Sequence, residues 1–204
     1  MVRGWVRVVD MDDLFWYPLA GQINHWVHEN FPATTPNTLT SVSNVFKAIT
    51  IVACVCSTGS VMWVIVAFVA SFLAYLFDNC DGDYARKYNM MSPGGAVYDH
   101  LSDTVYGVVL AAIFLLSPVM PDWLLLCLAV MLYTTLTQRG CAAAATYEAG
   151  FSTGAVDVLP SDFPQYSFCP FRHPSPALQA FDAGVLNTLL CVCIAVFCAQ
   201  QPRG

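Results

Sequence analysis

Apolar residues gather in this chain into long runs, and the polar and charged ones collect between them. Leu39 to Ser57, Val61 to Phe77, Ala96 to Leu116, Trp123 to Thr137 and Leu178 to Ala199 each read as a membrane-spanning helix. A bilayer needs about 20 such residues, with helix ends allowed outside it. The second run continues as helix into Asp78 and Asp81, and the third carries Asp99 and Asp103 in its first turns. Ahead of the runs, Trp16, Leu19, Ile23, Trp26 and Val27 recur at helical spacing and form one apolar stripe. Aromatic residues favour the membrane–water boundary, so this stripe predicts an amphipathic helix lying on the surface; packing against a partner domain is the alternative. Pro32 and Pro36 end that helix, and a new one starts near Asn37 or Thr38.

The expected fold is therefore an all-α integral membrane protein of five to six transmembrane helices preceded by an amphipathic interfacial helix. Residues 1–36 form the N-terminal interfacial segment and 37–204 the membrane domain. Between about 140 and 177 the pattern breaks down. Glu148, Gly150, Gly154 and Asp157 weaken 141–159 as a span, and Pro160 to Pro176 is irregular and rich in proline.

Composition sharpens this picture. Of 204 residues, 57% are hydrophobic and only 11% charged, well under the quarter usual in soluble domains. A formal charge of −6 with no basic stripe excludes nucleic acid as a partner. Most of the nine cysteines lie inside apolar runs, where a thiol acts as a small hydrophobe, and no C-x2-C pair occurs. Neither a zinc site nor a disulfide framework is expected. The aromatic and polar start does not follow the pattern of a cleavable signal.

The chemistry concentrates between Asp78 and Asp103. Asp78 and Asp81 are three apart, Asp99 and Asp103 four apart, so each pair shares a helix face. Between them Ser92 is a good N-cap and Pro93 suits the first helical position. A helical hairpin with two acidic pairs facing each other across its open end is the predicted arrangement. Gly82, Ala85 and Gly95 add little bulk on those faces, so a ligand can approach the backbone. Four converging carboxylates require positive charge. Mg²⁺ or Mn²⁺, shared with substrate phosphates, is the natural choice, and two such ions suit a diphosphate. Asp83 lies outside the pattern and is expected to be solvated; Lys47 is the one charge of the first span; His25 and His28 are expected to be interfacial.

In full the stretch reads D-x2-D-G-x2-A-R-x8-G-x3-D-x3-D, from Asp78, Asp81, Gly82, Ala85 and Arg86 to Gly95, Asp99 and Asp103. It resembles the signature of the CDP-alcohol phosphotransferase family at every fixed position. The resemblance implies that Asp78, Asp81, Asp99 and Asp103 bind two divalent ions. It implies that Asp103 also acts as the general base, and that Asp78, Gly82, Ala85, Arg86 and Gly95 contact the CDP moiety. A carboxylate suits that role only when burial or a nearby ion tunes it. The P-N-x-x-T entry at Pro36 also resembles the family and puts Asn37 at the edge of the site. Family members commonly carry a surface helix before the first span, and dimers are common among them.

The implied reaction moves a substituted phosphate from a CDP-linked donor to a hydroxyl acceptor and releases CMP. His100, inside Asp99-His100-Leu101-Ser102-Asp103, is similar to the D-H-x-x-D of eukaryotic choline and ethanolamine phosphotransferases. That leans toward CDP-choline or CDP-ethanolamine with diacylglycerol. The alternative donor is CDP-diacylglycerol, with inositol, glycerol phosphate or serine as acceptor. His100 and Arg139 are candidate acceptor contacts. The family usually has six core spans, so the irregular 140–177 region leaves the acceptor pocket open. An ion-binding membrane protein or a catalytically silent relative are the rivals; the first leaves Gly82, Ala85 and Arg86 idle. Arg3, Arg7, Arg86, Lys87 and Arg139 fall on one side, whereas the turns at Gly59 and Pro118 carry no basic residue. The positive-inside bias then puts the site on the cytoplasmic face.

Overall fold

The computed structural model describes residues 12–117, 183–202 and single helical positions between 122 and 133. Among these residues every regular element is a helix. A π-helical turn over Asp12–Trp16 leads into α1, Tyr17–Asn30; α2 spans Pro36–Cys56, α3 Val61–Lys87, α4 Pro93–Leu116 and α5 Ala183–Gln200. Helices α2, α3 and α4 are each long and apolar enough to cross a bilayer. The three runs read from the sequence thus lie within these helices. The fourth run falls mostly outside the described residues, as do residues 1–11, Arg139 and the whole of 140–177.

Helices α2 and α3 form an antiparallel pair. Small residues on α3, Ala67, Ala70, Ser71 and Ala74, are buried at three- and four-residue spacing. Such a face lets two backbones approach closely where water supplies no driving force. Close approach is visible at Ser43, whose hydroxyl donates to the Ala74 carbonyl at 2.8 Å.

The turn between them needs a glycine. Gly59 has φ +66°, and a Cβ there would collide with the Gln201 carbonyl oxygen. This close approach docks the end of α5 beneath the turn, where Ser57 donates to the Cys198 carbonyl at 2.7 Å. Ala53, Cys54, Ala67, Leu110, Phe114, Ile194, Phe197 and Cys198 pack together at that end of the bundle. The buried thiols there serve as small apolar groups.

At the other end of α3, Leu76, Cys80 and Tyr84 pack with Leu39 and with Trp16, Ala20 and Val27. Helix α1 therefore lies on α3 of its own chain. Its contact face differs from the expected stripe at one position. Trp26 is 58% exposed, and Asn24 is fully buried in its place. The helical period explains this: residues 16, 20, 24 and 27 share one line, and residue 26 lies well round the helix from it.

Candidate active site

The end of α3 and the start of α4 are built by local backbone chemistry. Tyr88 closes α3, Asn89 takes the left-handed conformation at φ 54°, and the Met90 N–H bonds the Ala85 carbonyl at 2.9 Å. This is the six-to-one closure of a Schellman motif, with Asn accepted where Gly is commoner. Ser92 then caps α4 by accepting from the Gly95 N–H at 3.1 Å, with Pro93 in the first turn. The cap and the proline stand where the sequence put them.

This tight connection brings the acids of α3 and α4 together. Oxygens of Asp78, Asp99 and Asp103 lie within 4.8 Å of one another, all three residues being half-buried. Across from them stands α2. Lys47 reaches Asp78 Oδ1 at 2.8 Å and Asp103 Oδ1 at 2.5 Å. Its side chain is only 7% exposed. Asp81 is turned to a different partner, accepting from the Thr40 hydroxyl at 2.5 Å. Three of the four acids thus form a tight cluster, and the fourth, Asp81, sits beside it on Thr40. The antiparallel pairing of α2 and α3 accounts for the split. Thr40 and Lys47, two turns apart on one face of α2, meet Asp81 and Asp78 in reverse order.

Three carboxylates against one ammonium leave the cluster formally two charges negative. Hard oxygen donors already gathered round a cation are the donor set that Mg²⁺ and Mn²⁺ prefer. The residues present therefore fit a divalent ion.

The small residues of the motif lie at this same mouth. A Cβ on Gly95 would stand 2.9 Å from Ser92 Oγ and 3.0 Å from Asn37 Oδ1, so the start of α2 rests on the start of α4. Asn37 thus stands against Gly95. Arg86 folds back over Gly82, its guanidinium 3.3 Å from where a Cβ would be. His100 is exposed and stands apart from the acid cluster.

Several residues were not anticipated. Lys47 sits in the middle of a span, where a charge is costly and marks function; that position was the available signal. Asp83 is half-buried rather than fully solvated: it accepts from Asn24 Nδ2 at 2.9 Å, and the same amide donates to the Cys80 carbonyl at 2.8 Å. His28 stacks on Tyr88 at 3.8 Å between ring centroids and bonds the Tyr84 hydroxyl at 3.0 Å. These contacts tie α1 to the helix that carries Asp78 and Asp81. Nothing in the local sequence pattern pairs residues more than fifty positions apart.

Between α2 and α4 opens a cavity of about 310 Å³. Asn44, Lys47, Tyr98 and Ser102 give it polar groups, and Ile51, Leu101 and Val105 give it an apolar wall. Tyr98 is held there by Ser41 at 3.2 Å and Asn44 at 3.1 Å.

Comparison with known proteins bears on this geometry. The chain is 28% identical over 146 residues to cholinephosphotransferase 1 of Xenopus laevis, a match covering 66% of this chain and 35% of that protein. It thus spans about a third of the length of that relative. No solved structure matches the chain. The family model for CDP-alcohol phosphatidyltransferase matches residues 33–157, more than half the chain and all of the acidic hairpin, and the protein belongs to that family.

Proposed function

We propose that this protein transfers a substituted phosphate from a CDP-linked donor to the hydroxyl of an acceptor, making a phospholipid and releasing CMP. The observation that carries the reading is the meeting of Asp78, Asp99 and Asp103 around a cation within a complete family motif. The donor of choice is CDP-choline or CDP-ethanolamine, with diacylglycerol as acceptor. His100 and the similarity to a cholinephosphotransferase both favour that pairing.

Asp78, Asp81, Asp99 and Asp103 would hold Mg²⁺ or Mn²⁺, which supplies charge neutralisation for the diphosphate. The rest is the work of the chain. Asp103, in the first turns of α4 and bonded to the Lys47 that lines the cavity, takes the proton of the acceptor hydroxyl. The freed oxygen attacks the phosphorus distal to cytidine, and the bridging P–O bond breaks to leave CMP. Gly82 and Gly95 let the nucleotide lie near backbone, and Asn37 and Arg86 orient it. The cavity between α2 and α4 gives the acceptor a polar end at Ser102 and an apolar wall beyond it. Arg86 and Lys87 at the mouth favour a cytoplasmic site by the positive-inside bias. A soluble CDP compound reaches it there.

The test is CMP release by the purified protein in lipid–detergent micelles with Mg²⁺ or Mn²⁺. One reaction holds CDP-choline and CDP-ethanolamine with diacylglycerol; the other holds CDP-diacylglycerol with mixed polar alcohols. Metal-dependent CMP from the first supports the pairing named here, and CMP from the second alone reverses donor and acceptor lipid. No CDP binding in either overturns the reading.

A further inference from the structure

Lys47 is the feature of this site that the proposed chemistry does not use. It is buried, it comes from a helix outside the acidic motif, and its ammonium bonds two of the three clustered acids. A lysine inside a bilayer span is costly unless paired, and here the pairing is double. Removing it would leave Asp78, Asp99 and Asp103 to repel one another across less than 5 Å. The ammonium, held by Oδ1 of Asp78 and of Asp103, and a divalent ion would have to share the same two carboxylates. Both cannot occupy them at once without strong repulsion.

We propose that Lys47 is a built-in counter-ion of the acidic cluster: it holds Asp78 and Asp103 together while no divalent ion is bound, and must leave them when one binds. The side chain has somewhere to go. Lys47 lines the cavity between α2 and α4 together with Asn44 and Tyr98, whose uncharged oxygens, away from the Ser102 end, can receive a displaced ammonium. Lys47 is thus a positioning residue that sets the affinity of the acids for metal and keeps the site assembled between turnovers. The inference rests on the metal-dependent reading above, and it concerns a residue that reading leaves idle.

The experiment compares Mn²⁺ binding by wild-type protein and K47Q in detergent, by titration calorimetry or by the loss of the free-ion spin signal. Removal of the competing charge should tighten Mn²⁺ by about ten-fold or more, since like charges at contact distance repel strongly. With chelator present K47Q should unfold at a lower temperature than wild type, and saturating Mn²⁺ should close that gap. A lysine serving only as structural pairing would lower stability without raising affinity, so unchanged or weaker Mn²⁺ binding overturns the proposal.

A second measurement needs no variant. Lys47 and Lys87 are the two lysines of the chain, and Lys87 is exposed. Amine acetylation read by mass spectrometry should raise the ratio of Lys47 to Lys87 labelling when Mn²⁺ is added; a flat or falling ratio overturns the proposal. If wild type releases CMP in a metal-dependent way while K47Q binds Mn²⁺ no more tightly, the Lys47 inference alone fails. If neither protein binds Mn²⁺, the metal reading fails and this inference with it.

Discussion

Thr40 donates its hydroxyl to Asp81 at 2.5 Å, and this bond fixes the fourth acid of the motif beside the other three. The same hydroxyl also lies 3.2 Å from the Pro36 carbonyl. One hydrogen cannot serve both acceptors fully, and the shorter contact to a charged oxygen is the stronger. Thr40 therefore orients a carboxylate next to the cluster, as partners of metal ligands commonly do. T40V keeps the shape and removes the donor. It should weaken Mn²⁺ binding by about 10–100-fold, whereas T40S should retain most of the affinity. Equal Mn²⁺ affinity in wild type and T40V would take Asp81 out of the ligand set.

Asp78 and Asp103 share Lys47, but they should fail differently. D103N removes the proposed base and should lower turnover by about 10²–10⁴-fold while CDP binding persists. D78N should weaken metal and CDP binding together. Paired CMP-release and nucleotide-binding assays separate the two. Normal turnover by D103N would move the base assignment to His100.

The two motif glycines should also differ. At Gly95 an added methyl group meets the Ser92 cap oxygen at 2.9 Å and the Asn37 side chain at 3.0 Å. Either the cap or the contact with α2 must give. Loss of an N-cap costs about 1 kcal/mol, so G95A should lower the unfolding temperature and weaken CDP binding. At Gly82 the neighbour is the far end of Arg86, which can swing aside. G82A should fold normally and show its effect in donor KM. Equal unfolding temperatures for G95A and wild type would mean that the cap and Asn37 yield freely.

The helices of the hairpin were legible because their signals are local. Long apolar runs, Ser92 before Pro93 and the spacing of the acids depend on residues within a few turns of one another. They suffice to put Asp78, Asp99 and Asp103 at one mouth. What they lack is the partner helix. Thr40 and Lys47 share a face of α2, but their match to Asp81 and Asp78 depends on how α2 and α3 register, and small residues on α3 decide that. The departure of Asp81 from the cluster and the role of Lys47 follow from that register. The burial of Asn24 in place of Trp26 has a similar origin. Hydrophobicity alone favours the tryptophan, but α3 offers a carbonyl and a carboxylate that only an amide can satisfy.

That amide gives the sharpest stability test. Asn24 donates to the Cys80 carbonyl and to Asp83 from fully buried surroundings, two residues beyond Asp78 and two beyond Asp81. N24L should leave both acceptors without this donor and destabilise the protein by about 1–3 kcal/mol. The loss should appear as a lower unfolding midpoint in detergent, and turnover per folded molecule should change little, because neither residue belongs to the acid cluster. Replacing both partners removes the stranded charge as well, so N24L/D83L should recover part of the loss. A double-mutant cycle over Asn24 and Asp83 measures that coupling directly. Strict additivity in the cycle would show that the Asn24 amide acts through the Cys80 carbonyl and that its bond to Asp83 contributes nothing to holding the helix in place.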